Sequence, residues 1–258
     1  MGGDINNGVE LFSEEWKWNP KVKGSGIIEC IPQTGRCPNN CDDCFFQSGR
    51  SYLEPLDENL PHIPTKEMAK GRIVRVNDGN DSNNQRELVE KTAKQYKDYF
   101  FNTAIPANLS DFPGPVVLTI NPGKMTDTDF HKVFSWENLM FVRIRTSMWN
   151  IENIVKPAIK YYTQNDGVRP TPVVLTFMAY YNETIPEQYK DCYMWKKRTL
   201  NSYWCPKQEK IDEVMAIFKD NPYVYACGYK GQYSCSRCGN CLREYYNAKE
   251  RVRTNGRP

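Results

Sequence analysis

The chain has 258 residues, a formal net charge of +3, and a hydrophobic share of 40% that includes 13% aromatics. This supports one substantial domain with a packed core and excludes wholesale disorder, and the charge is too small to argue for nucleic acid by itself. No apolar run approaches the length of a membrane span, and the N-terminal stretch MGGDINNGVELFSEEW has no apolar signal core, so a reducing cytoplasm is the expected setting.

From about residue 24, short β-rich runs alternate with longer helical patterns, as in parallel βα units. Ile27 to Pro32 is the first predicted strand, and a cysteine-bearing loop follows it. Ile73 to Val76 is the second, running into Asn77-Asp78-Gly79-Asn80-Asp81-Ser82. Val89, Ala93, Tyr96 and Phe100 then share one helical face, with Ser82 and Gln85 as a capping pair. Pro115 to Ile120 is the third strand, Asp127 to Glu137 a helix, and Met140 to Thr146 the fourth strand. Asn150 is placed to cap a helix carrying Ile154, Ala158 and Tyr161 or Tyr162, with a kink at Pro157. Pro172 to Met178 is the fifth strand, Ile211 to Phe218 a helix, and Tyr223 to Ala226 the sixth strand. Tyr180 to Pro206, rich in Tyr, Trp and charge, has no legible period. The predicted fold is α/β: an open, partial (β/α)6 barrel over residues 24–226. An N-terminal extension, 1–23, precedes it, and a short cysteine-rich segment with a basic tail, 227–258, follows.

Cys37, Cys41 and Cys44 stand in the order Cys-x3-Cys-x2-Cys on the loop after the first strand. Three thiolates so spaced can hold three corners of a 4Fe-4S cube and leave one iron open to a small molecule; electron carriers normally supply a fourth cysteine near by. Zinc prefers paired Cys-x2-Cys units or Cys/His mixtures in closed sites. The two histidines, His62 and His131, are not close to this loop in sequence, and Cys30 sits in an apolar run as a small hydrophobe. Clustered cysteines without an export signal read as metal ligands rather than disulfides.

The spacing of these cysteines, directly after a short apolar strand, resembles the radical S-adenosylmethionine (SAM) superfamily, whose usual core is also an incomplete (β/α)6 barrel. The resemblance implies that SAM binds the open iron through its amino and carboxylate groups. An electron from a donor such as flavodoxin or ferredoxin would then cleave it to methionine and a 5′-deoxyadenosyl radical, which takes hydrogen from a substrate. In that family a Gly-Gly-Glu-like motif at the end of the second strand meets the SAM amino group. Here the position reads Asn77, Asp78, Gly79, Asn80 and Asp81, a departure that keeps a flexible glycine and carboxylates. A turn with a helix cap would use the same residue types. Arg143, Arg145 and Ser147 fall on one side of the fourth strand, toward the ribose and carboxylate of SAM; exposure at an open barrel edge accounts for them equally. Phe45, with Phe46, offers an apolar contact for adenine.

A second cysteine group, Cys227, Cys235, Cys238 and Cys241, closes the readable sequence, with Cys205 upstream. Cys-x2-Cys-x2-Cys among glycines calls for a common ligand, an iron–sulfur cluster in preference to zinc, with Cys227 or Cys205 as the fourth thiolate. The rival reading is a zinc-bearing nucleic-acid-binding or regulatory protein using Arg237, Arg243, Tyr245 and Tyr246.

Overall fold

The computed structural model describes residues 11–41, 44, 46, 52–53, 61–122, 138–164, 169–181, 185–198, 202–231 and 234–255. The helix expected over Asp127 to Glu137, and Phe45, lie outside these residues. Seven parallel strands form one open sheet: β1 (Ile27–Cys30), β2 (Ile73–Val76), β3 (Tyr99–Thr103), β4 (Val116–Ile120), β5 (Leu139–Thr146), β6 (Val173–Phe177) and β9 (Val224–Ala226). They lie side by side in chain order, so β1 and β9 are its two end strands; on the outer side of β1, Trp16 Nε1 donates to Glu29 O at 3.2 Å and Ile31 bridges His62. A two-stranded antiparallel ribbon, β7 (Tyr193–Lys196) with β8 (Tyr203–Pro206), occupies the stretch whose sequence shows no period.

Among the described residues the sheet has seven strands where the sequence pattern predicts six, because β3 continues the helical period of Val89, Ala93 and Tyr96. That helix, α2 (Arg86–Ala93), stops earlier, and Phe100 pairs in the sheet with Arg75 of β2. Its start also differs. Gln85 adopts a left-handed backbone and gives no side-chain cap, while the Ser82 hydroxyl accepts Asn77 Nδ2 at 3.1 Å. Asn150 likewise turns its side chain back onto Ser147 N and Arg145 O. A π-helical turn, Ile151–Val155, then leads into α3 (Lys156–Thr163), with Pro157 in its first turn rather than at a kink.

Side chains alternate across each strand, and this alternation divides the interior. Ile28, Val74, Phe101, Leu118, Val142 and Leu175 point to the face covered by helices. Their neighbours Ile73, Phe100, Val117, Phe141 and Val174 point to the other face and pack against Tyr245 and Ala248 of α6 (Asn240–Asn255). α6 therefore packs into the sheet. Tyr245 Oη donates to Asp98 at 2.9 Å, and Arg251 of the expected basic tail donates to Leu139 O at 2.8 Å. Toward the C-terminal strand ends the same inward positions become polar: Glu29, Arg75, Asn77, Asn102, Thr119, Arg143, Arg145 and Thr176. An apolar floor filled by α6 thus supports a polar upper tier, on the side from which the first cysteine loop emerges.

Candidate metal centre and cofactor pocket

The loop bearing Cys37, Cys41 and Cys44 is tied down by side chains that follow β2. Asn84 Nδ2 donates to Cys37 Sγ at 3.5 Å, and Cys44 N donates to Cys41 O at 3.0 Å. Gln33 Nε2 reaches Asp81 O and Asn84 O, each at 2.9 Å. Asp81, an expected SAM contact, is occupied as an anchor: its carboxylate accepts Thr103 Oγ1, Ala104 N, Asn83 N and Asn39 Nδ2 at 2.6–3.0 Å. Burial pushes the Cys37 thiol up to about 11; a backbone hydrogen bond from Asn39 opposes this, and Asp81, Cys41 and Cys44 add to it. A bound cation would reverse that cost. Among the described residues no three candidate ligands are already closed around one point.

Phe46 lies over Gly79, where a Cβ would stand 2.3 Å from the ring. Gly79 is therefore required for close approach of the ring, not for backbone freedom. Gly79→Ala is expected to cost roughly 1–3 kcal/mol through overpacking, measured by denaturant melts. Adding Phe46→Leu should recover part of the loss; no recovery would remove the contact as its cause.

Asn77 ends β2 with a left-handed backbone, φ 64°, and its buried Oδ1 has no hydrogen-bond partner among the described residues. Beside it, Asp78 pairs with Arg75 at 2.9 Å and accepts Asn19 Nδ2 at 3.2 Å. Arg75 also contacts Glu29, its register partner on β1, and Tyr52 Oη donates to Glu29 at 2.8 Å. One guanidinium thus serves two buried carboxylates. Burial and the neighbouring Asp78 charge raise Glu29 to about 7, against the pull of Arg75. Asp78 is held below the usual range, since Arg75 and the Glu29 hydrogen bond outweigh its own burial. The ion pair is therefore Arg75–Asp78, with Glu29 holding its proton against it below about pH 7. The native state then holds a proton that the unfolded chain releases, so stability is expected to fall as pH rises from about 4.5 to about 7. The loss is on the order of 3 kcal/mol, and Glu29→Gln should flatten that slope in melts taken across the window.

Glu29, Arg75, Asn19, Tyr52, Asn39 and Asn84 were not read as site residues. The signal for two of them was present: a single charge at the third position of each four-residue apolar strand, Ile-Ile-Glu-Cys and Ile-Val-Arg-Val.

Arg143 and Arg145 alternate inward on β5 as expected; Arg143 reaches Asn102 Oδ1 at 3.4 Å and Arg145 Nε reaches Met178 Sδ at 3.4 Å. Ser147 lies beyond the strand, its hydroxyl bonded to Tyr180 Oη. Asn80 keeps its side-chain oxygen on Asp81 N at 2.8 Å.

The second cysteine group lies in one region, with no three of its thiols closed around one point. Cys227 follows β9 and faces inward, Cys235 and Cys238 bound the single turn α5 (Cys235–Cys238), and Cys241 opens α6. A hydrogen bond from Cys227 and the N–H groups of Gly228 and Asn240 hold the Cys238 thiol down to about 5. Cys205 lies on β8 opposite Met194, so of the two alternatives it is Cys227 that reaches the triplet. Of the residues offered for nucleic acid, Tyr245 is buried under the sheet while Tyr246 is exposed, so the set does not form one surface.

No protein-family model matches the chain, and no curated protein matches it. Among solved structures, it is similar to a mutant spore photoproduct lyase with bound AdoMet and dinucleoside spore photoproduct. The TM-score is 0.43 at 10% sequence identity, covering 78% of this chain and 81% of that one. A likeness at that level leaves the fold to be described by strand order and the function by the residues themselves.

Proposed function

We propose that this chain is a radical SAM enzyme in which Cys37, Cys41 and Cys44 hold a 4Fe-4S cluster with one open iron. The observation that carries the reading is the place of the loop: three thiols at that spacing leave the C-terminal end of β1, where parallel α/β sheets and barrels do their chemistry. When bound, the cluster supplies the electron that cleaves SAM and so generates the radical that takes hydrogen from a substrate.

The chain's own residues fit that group. The unmatched Oδ1 of Asn77 and the charged Asp78 offer acceptors for the SAM ammonium. Arg143 and Arg145 supply cationic donors on the same inner tier for its carboxylate and ribose. Asp81 acts one step removed, fixing the cysteine loop to the ends of β2 and β3. Electrons would come from a small carrier such as flavodoxin or ferredoxin. The C-terminal cysteines form a second thiolate site, for an iron–sulfur cluster in preference to zinc.

Electron paramagnetic resonance on anaerobically reconstituted, reduced protein tests the reading. A cluster signal that changes when SAM is added is expected. A signal indifferent to SAM would make the protein a redox carrier, and stoichiometric zinc without any cluster would make it a zinc protein.

A further inference from the structure

β1 and β9 are the two end strands of the sheet, and the outer side of β1 is met only at Glu29 O, by Trp16 Nε1 at 3.2 Å, and at Ile31, which bridges His62, among the described residues. Here the cysteine-rich segment spans the gap between them. On the β1 side, Cys235 N donates to Lys21 O at 2.9 Å, and Leu242 lies 3.8 Å from where a Gly26 Cβ would stand. On the β9 side, Asn240 Nδ2 donates to Ala226 O at 3.2 Å, Tyr225 Oη donates to Glu244 at 2.7 Å, and Cys227 N donates to Leu175 O at 2.8 Å.

Ahead of α6, which supplies Asn240, Leu242 and Glu244, this bridge has little regular structure. The α5 turn has four residues, ended by Gly239 in a left-handed conformation, and a helix that short does not hold itself together. Thiols gather here: Cys227 hydrogen-bonds Cys238, Cys241 lies near Cys227 and Cys235, and Cys235 N is tied to Lys21 O. The Cys238 sulfur accepts the N–H groups of Gly228 and Asn240. Two cations face the group: Lys21 toward Cys227, Cys235 and Cys238, and Arg75 toward Cys235 and Cys241. Charge of that sign suits the net negative centre that four thiolates form with zinc or with an iron–sulfur cube.

We propose that Cys227, Cys235, Cys238 and Cys241 bind one thiophilic metal centre that staples the flank of β1 to the end of β9 and so closes the seam of the barrel. The staple uses none of the residues of the Cys37–Cys44 loop, so it stands or falls independently of the SAM reading. Metal binding would supply the ordering that this glycine-rich segment lacks.

The test measures bound metal and backbone hydrogen exchange together, on the full chain, reconstituted anaerobically with iron and sulfide or with zinc. Removing the metal by chelation should speed exchange in peptides covering Ile27–Cys30 and Val224–Ala226 by about tenfold or more, reversed on adding metal back. Cys238→Ser with Cys241→Ser should lose one metal centre and exchange like the chelated protein. The Cys37→Ala, Cys41→Ala, Cys44→Ala variant should keep both the second centre and the edge protection. Iron with sulfide identifies the staple as a cluster, and one zinc identifies it as a tetrathiolate site. No metal from either source would overturn the proposal. So would equal exchange at both edges with and without metal, or loss of edge protection in the Cys37–Cys44 variant.

Discussion

Replacing Cys37, Cys41 and Cys44 together with alanine is expected to reduce SAM cleavage to background while the sheet remains folded. The three residues lie on a loop beyond β1 and belong to neither face of the sheet, Cys44 touching only the small cluster of Ile31, Phe46 and Leu53. Loop positions of this kind carry function rather than stability. The assay is 5′-deoxyadenosine formed under reducing, oxygen-free conditions, with circular dichroism melts as the folding control. Product at the wild-type rate from the triple variant would end the radical SAM reading. A collapsed melt would instead assign the loop a structural role.

The largest expected effect on stability comes from Arg75. Its guanidinium lies between Glu29 and Asp78 and faces the thiols of Cys235 and Cys241, with a side chain only 7% exposed. Arg75→Met leaves the Asp78 charge buried without a partner, at a cost of about 3–5 kcal/mol. In a chain of this size that corresponds to a Tm lower by roughly 10 °C. Adding Glu29→Gln and Asp78→Asn removes the stranded charge and should restore much of the loss, because neutral replacement of a buried ionic group is often nearly free. A single variant losing less than about 1 kcal/mol would put the network at the surface, where ion pairs are worth that little.

The elements legible in sequence were those whose identity is local. Ile73–Val76 was read to the residue, and β1, β4, β5, β6 and β9 within two residues at either end, because short β-branched runs bounded by Gly, Pro and Asn have few other conformations. β3 was missed because Val89, Ala93, Tyr96 and Phe100 satisfy a helical period, while Tyr-Phe-Phe-Asn-Thr is too short to announce alternation. Pairing with β2 on one side and β4 on the other decides it, and that is a tertiary fact. The caps failed for a related reason, since Ser82 and Asn150 found partners nearer than a helix N-terminus.

The candidate site divides in the same way. The cysteine spacings are covalent and therefore readable, and the inward alternation of Arg143 and Arg145 follows from the strand alone. The neighbourhood of Asp78 did not follow: Asn19, Glu29, Arg75 and Cys235 come from separate segments, and only tertiary packing around β1 and β2 brings them together. Similar packing commits Asp81 to the cysteine loop, although its composition suited a ligand contact equally well.

The apolar floor also sets an order of events during synthesis. α6 leaves the ribosome after every strand of the sheet, yet Ile73, Phe100, Val117, Phe141 and Val174 have it as their cover. Until it docks, these five side chains face water, a deficit on the order of 10 kcal/mol, comparable with the whole stability of a domain (~5–15 kcal/mol). A sheet without α6 is therefore expected to be open and adhesive, with the kind of surface that chaperones hold. Its productive life begins only when Tyr245 reaches Asp98 and Arg251 reaches Leu139.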